Sequence, residues 1–163
     1  MKKYMVNVTR FFVAAFTSLA GLLLGGTMIY LGQIIPGLVL LLIFVAFLIA
    51  STYSGAHVSA DSEGVTRHGL FGGKTTMAWQ DIKEVGVAGS RIFNKGEKHK
   101  PGTLYIYFSG KEMTDDERFD MMLKWPPKDK IYIEYTDEIG RQVLQLWEKP
   151  FVEYNTCDAP IVK

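Results

Sequence analysis

The sequence lacks charge over a long stretch near its N-terminus. Residues 11–60 contain no Asp, Glu, Lys or Arg, and His57 is the one titratable side chain among them. The averages hide this run, because the 163 residues are 48% hydrophobic and 21% charged, as in a soluble protein. A chain long enough for about one domain could not bury so long an uncharged segment. A simple water-soluble enzyme and a disordered chain are therefore excluded.

Cysteine, histidine and net charge are also scarce. The single cysteine, Cys157, has no intramolecular partner, so no disulfide framework can form and a reducing compartment is expected. The histidines at positions 57, 68 and 99 are too far apart to indicate a metal pair, and we expect no metal and no other cofactor. A net charge of +1 gives no strong field for polyanions, so no nucleic-acid partner is expected.

The uncharged run is long enough for two membrane helices and a turn. A bilayer's apolar core needs about 20 apolar residues of helix, so we predict spans over about residues 11–30 and 36–53. Residues 31–35 form the predicted connector, which contains Gly32 and Gln33. Pro36 suits the first turn of the second helix, where its missing N–H would be unpaired anyway.

Basic residues predict the orientation of this hairpin. Lys2, Lys3 and Arg10 precede the first span and the connector has none, which favours a cytoplasmic N-terminus over residues 1–10. Two spans return the chain to the same side, so residues 54–163 are expected in the cytoplasm at the cell membrane. The alternative is a signal peptide with a cleavage site at residues 18–20, although apolar sequence resumes directly at Leu22.

Small residues four apart mark one side of the first span. Thr17, Gly21 and Gly25 would let a second helix backbone approach closely. This possible helix-packing strip could face a second copy of the chain, or it could face the chain's own second span, which is already tethered alongside. Both interpretations stay open at the level of sequence.

The sequence pattern over residues 54–154 predicts a small α+β domain. Turn-forming groups separate short strands rich in β-branched and aromatic residues. The predicted strands are 57–60, 65–68, 75–79, 82–87, 103–108 and 130–135, with a further short strand at 151–154 and a loose tail over residues 155–163.

Two helices are predicted among these strands. Thr114 and Glu117 form a capping box, and the helix ends before Pro126. The second helix starts with Thr136 as N-cap and carries an apolar stripe at Ile139, Val143, Leu146 and Trp147. A hairpin turn over residues 137–140 is the alternative at the start of this second helix.

The order of elements resembles a known family. Asp61–Gly64 is an acidic-glycine turn between two strands, and Trp79-Gln80-Asp81-Ile82 is a "W-x-D-I" segment. Together with the two spans, they look like small bacterial membrane proteins that carry a pleckstrin-homology-like (PH-like) domain, and residues 105–138 look similar to proteins of gut Clostridia. The resemblance implies an antiparallel, seven-stranded curved sheet or barrel closed by a C-terminal helix, and it implies no common catalytic activity.

The candidate contact site is a basic loop. Residues 91–102 carry a net charge of +3 and one aromatic side chain, which fits anionic headgroups or a partner protein. The predicted contact residues are Arg91, Phe93, Lys95, Lys98 and Lys100. The acidic group around Asp116 is better explained as first-turn acids of a surface helix, and no catalytic constellation is visible.

These patterns indicate a non-enzymatic interaction or scaffold module at the membrane. Its expected partners are the lipid bilayer and another membrane protein or a second copy of the chain. An anionic-lipid sensor that uses residues 91–100 is the alternative, and an enzyme with an unrecognised site is a remote one.

Overall fold

The computed structural model describes residues 3–89, 102–124, 127, 129–156 and 159–162. Over these residues the chain forms four helices and eight strands. They fall into two compact units, one built from Met5–Ala56 with Gly69–Gly73 and the other from most of the remaining chain. The predicted contact residues Arg91, Phe93, Lys95, Lys98 and Lys100 lie outside the described residues, as does Cys157.

Two long apolar helices form the first unit. Helix α1 covers Val8–Tyr30 and α2 covers Ile34–Gly55. The Asn7 side chain accepts a hydrogen bond from the Arg10 backbone N–H at 2.7 Å, which caps α1 and starts it three residues before the predicted Phe11. The charge at Arg10 therefore lies inside the first turn of the helix. Pro36 lies in the first turn of α2, as predicted.

Both helices are long and apolar enough to cross a membrane. Only 22% of the span within α1 and 11% of the span within α2 is buried inside the molecule. The core helix of a soluble protein would be mostly buried, whereas these helices expose large side chains such as Phe16, Leu23 and Leu42. Membrane association accounts for this exposure, because lipid then covers the apolar surface.

The face that α1 turns towards α2 differs from the predicted strip. Ala14, Ser18, Gly21 and Gly25 are the buried residues of α1, while Thr17 is exposed. Residues at a constant spacing of four rotate gradually around an α-helix. Alternating steps of three and four residues keep them on the face that packs against a straight neighbouring helix. Ser18 therefore occupies the place that the prediction assigned to Thr17. Association with a second copy stays a prediction.

Glycines bring the backbones of α1 and α2 together. A Cβ atom at Gly37 would lie 2.6 Å from Ile29 Cγ1 and 2.9 Å from the Gly25 backbone oxygen. A Cβ atom at Gly25 would likewise lie 3.1 Å from the Gly37 oxygen, and one at Gly21 would overlap the Phe44 ring. The close approach of the helices thus requires glycine at these positions.

We predict that Gly37→Leu weakens the helix pair. The added side chain must push Ile29 and the Gly25 backbone away, and such overpacking costs about 1–3 kcal/mol. The check is unfolding of the full-length protein in mixed detergent micelles, followed by energy transfer between labels on α1 and α2. Gly26→Leu is the matched control, because a Cβ atom there meets nothing within 4 Å. Equal losses in both variants would contradict the close contact.

The first sheet has the strand order β1-β2-β3-β4. Its strands are β1 (Tyr4–Met5), β2 (His57–Ala60), β3 (Gly64–His68) and β4 (Lys74–Ala78). Strand β2 pairs antiparallel with β3 in a register that sets His57 opposite His68 and Ala60 opposite Val65. Strand β1 was not predicted. It has two residues and precedes a membrane helix, so it cannot show the alternation of apolar and polar side chains that indicates a strand.

The second sheet has the order β7-β6-β5-β8. Its strands are β5 (Glu84–Gly89), β6 (Leu104–Ser109), β7 (Ile131–Glu134) and β8 (Val152–Tyr154). Strands β5, β6 and β7 are antiparallel, as predicted, whereas β8 runs parallel to β5. The resemblance implied a seven-stranded curved sheet or barrel, and the structure has eight strands in two four-stranded sheets, with β1 and β8 as edge strands.

The core of the domain comes from the inward faces of these strands. Val58 and Val65 of the first sheet and Val87, Ile106 and Ile133 of the second are essentially inaccessible to solvent. The strand that is buried along its whole length is β5, because β6 and β8 flank it on both sides. A charged side chain on so buried a strand must be compensated by hydrogen bonds or an ion pair. The first residue of β5 is the charged residue Glu84.

Two short helices complete the domain. Helix α3 covers Asp115–Leu123 and has the predicted capping box between Thr114 and Glu117. Helix α4 covers Asp137–Leu144 with Thr136 as its N-cap, so the helix prediction is confirmed and the hairpin-turn alternative is wrong. The helix is shorter than predicted, but the Trp147 backbone N–H still bonds to the Val143 oxygen at 2.9 Å. That turn brings Trp147 to the surface of the second sheet.

Candidate binding cavity beside a buried glutamate

A buried carboxylate anchors one face of the second sheet. Glu84 is 4% exposed and accepts hydrogen bonds from three residues. The Tyr107 hydroxyl donates at 2.6 Å and the Met113 backbone N–H at 2.8 Å. The Arg118 guanidinium donates twice, from Nε at 3.0 Å and from a terminal nitrogen at 2.8 Å. Four donors therefore satisfy a charge that would otherwise be costly to bury.

A glycine on β5 makes room for the tyrosine in this network. Gly86 stands opposite Tyr107 in the register of β5 and β6. A Cβ atom at Gly86 would overlap the Tyr107 hydroxyl and ring, so the phenol leans over the glycine to reach Glu84. The sequence Glu-Val-Gly on β5 thus provides both the carboxylate and the space for its donor.

Helix α3 provides the arginine. The capping box fixes where the helix begins, and Arg118 follows one residue after Glu117. Arg118 also donates to Asp115 at 2.7 Å, so its guanidinium bridges a buried carboxylate and an exposed one. The helix is thereby held against the sheet by a bidentate ion pair whose Glu84 partner is shielded from water.

The network shifts the pKa values of its members in opposite directions. Burial by itself would raise the pKa of Glu84, but the hydrogen bonds from Arg118, Tyr107 and Met113 outweigh it and hold that pKa below the usual range. Burial and the neighbouring carboxylate raise the pKa of Tyr107. Glu84 is thus a stable anion whose bonding capacity is used by the protein itself.

A cavity of about 390 Å³ lies beside this network. Glu84, Met113 and Arg118 line one side, and the segment from Trp147 to Val152 lines the other. The rim carries charges of both signs, from Lys83, Glu112 and Lys149. Its walls therefore combine apolar surface with convergent polar groups, which is the usual character of a binding site.

Trp147, which lines this cavity, has an unused hydrogen-bond donor. The residue is 9% exposed, and its indole Nε1 is shielded from solvent. Among the described residues no acceptor bonds to this N–H. The Lys149 ammonium lies 5.6 Å from the indole centroid and covers the ring with a flexible, exposed side chain.

The position of Trp147 is fixed by other aromatic rings. Trp79 packs against it with a centroid separation of 6.2 Å and also contacts Phe108 edge-on at 6.2 Å. Trp79 itself donates from Nε1 to the Asp61 backbone oxygen at 2.7 Å. The two tryptophans thus differ, since the N–H of Trp79 has a partner and that of Trp147 does not.

A second cavity of about 510 Å³ lies on the other side of α3. Its charged groups form internal ion pairs, namely Lys111 with Glu117, Lys124 with Asp120 and Lys130 with Asp129. Three members of the predicted acidic group, Asp115, Glu117 and Asp120, therefore take part in capping or ion pairing. Within the described part of the chain no group of three potential metal-ligating side chains occurs.

Sequence reasoning missed the cavity beside Glu84 and Trp147. The basic loop was the predicted contact surface, and it lies outside the described residues, so that prediction stays a prediction. Trp147 was predicted to lie on the apolar stripe of the second helix, and it is buried just after the end of α4, where it also lines a cavity. The charge of Glu84 at the start of an otherwise apolar strand was the available signal for the buried network.

Comparison with known proteins gives one family. A family model described as a bacterial PH domain matches residues 55–119, which contain β2 to β6 and the first half of α3. No curated protein and no solved structure matches. Strand β7, helix α4 and strand β8 lie beyond the match, and the structure alone assigns them to the same domain. The chain is thus an apolar helical hairpin followed by a PH-like α+β domain, a type of domain that is generally non-catalytic.

We predict that Glu84→Gln destabilises the domain and flattens its response to acid. Removing the charge leaves Arg118 without its buried partner, which costs about 3 kcal/mol. In the wild type a lowered pKa stabilises the fold above the unfolded value of about 4.3, and this stability is lost as pH falls below it through the folded pKa. Denaturant unfolding of the full-length protein in detergent at several pH values, followed by tryptophan fluorescence, measures both effects.

Glu112→Gln is the matched control for this variant. Glu112 lies on the rim of the same cavity but is exposed, so its loss should change stability by less than about 0.5 kcal/mol. If Glu84→Gln and wild type lost stability in parallel between pH 6 and pH 3, the role of the Glu84 anion would be refuted.

Proposed function

We propose that this protein is a non-enzymatic interaction module that is anchored in the cell membrane and binds a segment of another membrane protein through its PH-like domain. The observation that carries the proposal is that Trp147, whose indole N–H has no acceptor among the described residues, lines a 390 Å³ cavity. A buried donor without an acceptor is costly and needs an explanation, and we infer that at this cavity a ligand supplies the missing acceptor.

The chemistry of the cavity favours a polypeptide segment that carries a hydrogen-bond acceptor. The indole donates, Lys83 and Lys149 attract negative charge, and Met113 and Val152 offer apolar surface. An acidic side chain or a backbone carbonyl would satisfy Trp147, while an adjacent apolar side chain fills the space beside Met113. Glu112 on the rim disfavours a ligand of high negative charge.

The membrane anchor favours a partner in the same bilayer. Two molecules confined to one membrane meet at a raised effective concentration, so a small cavity suffices for association. The interface need not be large if its centre contains a well-packed anchor such as a tryptophan. We place the domain and both termini in the cytoplasm on the basis of Lys2, Lys3 and Arg10, which precede the first span.

The buried glutamate supports a binding role over a catalytic one. A general base must have a free lone pair near the substrate and a pKa near the working pH. Glu84 instead accepts four hydrogen bonds, and its pKa is lowered. Its role is to hold α3 in place and thereby to shape one wall of the cavity.

We predict that Trp147→Phe removes partner binding without unfolding the domain. Phenylalanine keeps an aromatic ring against Trp79 but has no N–H, so the partner loses its hydrogen bond and the free protein loses an unsatisfied donor. The measurement is purification of the tagged full-length protein from its native membrane in mild detergent, with quantitative mass spectrometry of copurifying proteins. A stoichiometric membrane protein should accompany the wild type and fall several-fold in the variant.

Trp79→Phe is the matched control. It removes the hydrogen bond to the Asp61 oxygen, so we expect a loss of about 1 kcal/mol in domain stability with the partner retained. The proposal fails if the wild type brings down no stoichiometric protein, or if the same protein accompanies wild type and Trp147→Phe equally.

Lipid sensing by the basic loop is the second candidate. Its net charge of +3 and Phe93 favour anionic headgroups. We predict that Lys95→Glu, Lys98→Glu and Lys100→Glu together abolish any enrichment of anionic lipid around the full-length protein in native nanodiscs. The partner captured through Trp147 should be unaffected. Unchanged lipid composition would remove the lipid-sensing function and leave the protein-binding function intact.

A further inference from the structure

The turn between β3 and β4 exposes two large apolar side chains. Phe71 is 86% exposed and Leu70 is 41% exposed, although glycines surround both of them. Turn residues in water are usually polar. Large apolar side chains that are exposed at the tip of a hairpin do not stabilise the fold by packing. An exposed apolar tip therefore indicates contact with an apolar partner.

The turn has a defined shape that projects these side chains. The Gly69 backbone N–H donates to the Gly73 oxygen at 2.6 Å, and the Gly72 N–H donates to the Gly69 oxygen at 3.3 Å. Gly72 has a φ of +98°, a conformation that other residues rarely adopt. The backbone of the turn thus satisfies part of its own hydrogen bonding, which suits a segment that leaves water.

The register of the sheet places this tip at the end of the domain where the chain leaves the apolar helices. Only Ala56 separates the end of α2 from the start of β2. His57 at that start is paired with His68, the last residue of β3, so the chain returns to the same point before the turn begins. Residues 69–73 also belong to the same compact unit as α1 and α2.

We propose that Leu70 and Phe71 insert into the interfacial layer of the bilayer that α1 and α2 span. The tip is then an additional membrane contact of the PH-like domain, separate from the cavity at Trp147 and from the basic loop. A lipid surface fits this tip because a protein partner would need a shaped recess, whereas lipid accepts two side chains of any orientation.

The charge next to the tip fits the same occupant. Lys74 is exposed, follows the turn directly and is paired with His68 across β3 and β4. A lysine at this place can extend its ammonium to phosphate groups while its methylenes lie along the apolar layer. No acidic side chain lies between His68 and Lys74, so nothing in the turn itself repels an anionic surface.

Depth-dependent quenching in vesicles tests the proposal. The full-length protein with Cys157→Ser and Gly73→Cys carries one thiol beside the tip, where a side chain meets nothing within 4 Å. The thiol is labelled with the fluorophore NBD, and the protein is reconstituted into phosphatidylcholine and phosphatidylglycerol vesicles that contain nitroxide lipids. We expect the shallow nitroxide to quench this label several-fold more strongly than a label at Ser62→Cys.

The position of Ser62 makes it the matched control. It is exposed in the turn between β2 and β3, at the opposite end of β3 from the tip. Adding Leu70→Ser and Phe71→Ser to the Gly73→Cys protein should lower the quenching to the Ser62 level. Because both side chains are exposed, an unchanged tryptophan spectrum should show that this variant is folded.

The opposite results overturn the proposal. Equal quenching at positions 73 and 62 would show that the tip stays in water even when lipid is the one available partner. The binding partner of the tip would then be a protein. Strong quenching at position 73 that survives Leu70→Ser and Phe71→Ser would show that the apolar side chains do not cause the approach to lipid.

Discussion

The arrangement of the PH-like domain depends on the burial of one carboxylate. Glu84 begins a strand whose other residues are apolar or glycine, and its charge is tolerated because Arg118, Tyr107 and Met113 supply four hydrogen bonds. The hydrogen bonds from Arg118 to Glu84 hold α3 against the second sheet. Arg118 of α3 and Met113, which precedes the helix, form part of the wall of the cavity beside Trp147. A polar interaction in the core therefore shapes the surface at which a partner would bind.

The second constraint is the exposed apolar surface of the two long helices α1 and α2. Helices α1 and α2 approach closely because Gly25 and Gly37 carry no side chains, and most of their large apolar side chains are exposed. Membrane association accounts for this exposure, and the two helices have little enclosed core of their own.

Much of the fold could be predicted from the sequence because several signals are local. The uncharged run indicated two apolar helices, the Thr114 and Glu117 pair indicated the start of α3, and Thr136 indicated the start of α4. Each of these depends on residues within a few positions of one another. The edge strand β1 and the parallel pairing of β8 with β5 were not predicted, since both depend on partners far away in the chain.

The candidate site was harder to predict than the fold for the same reason. Its members come from β5, β6, α3 and the segment after α4, so no spacing in the sequence brings them together. Thr17 was assigned to the helix contact in place of Ser18, because a row spaced by four does not follow a straight neighbour. The buried donor of Trp147 becomes visible only when every acceptor around it is known.

Photocrosslinking at the cavity tests the central claim most directly. A benzoylphenylalanine in place of Lys149 puts a reactive group over the Trp147 indole, and irradiation is carried out on the full-length protein in its native membrane. The account predicts one discrete adduct with another membrane protein, which is lost when Trp147→Phe is added. An absence of protein adducts, or adducts of equal yield in both proteins, would contradict a binding role for this cavity.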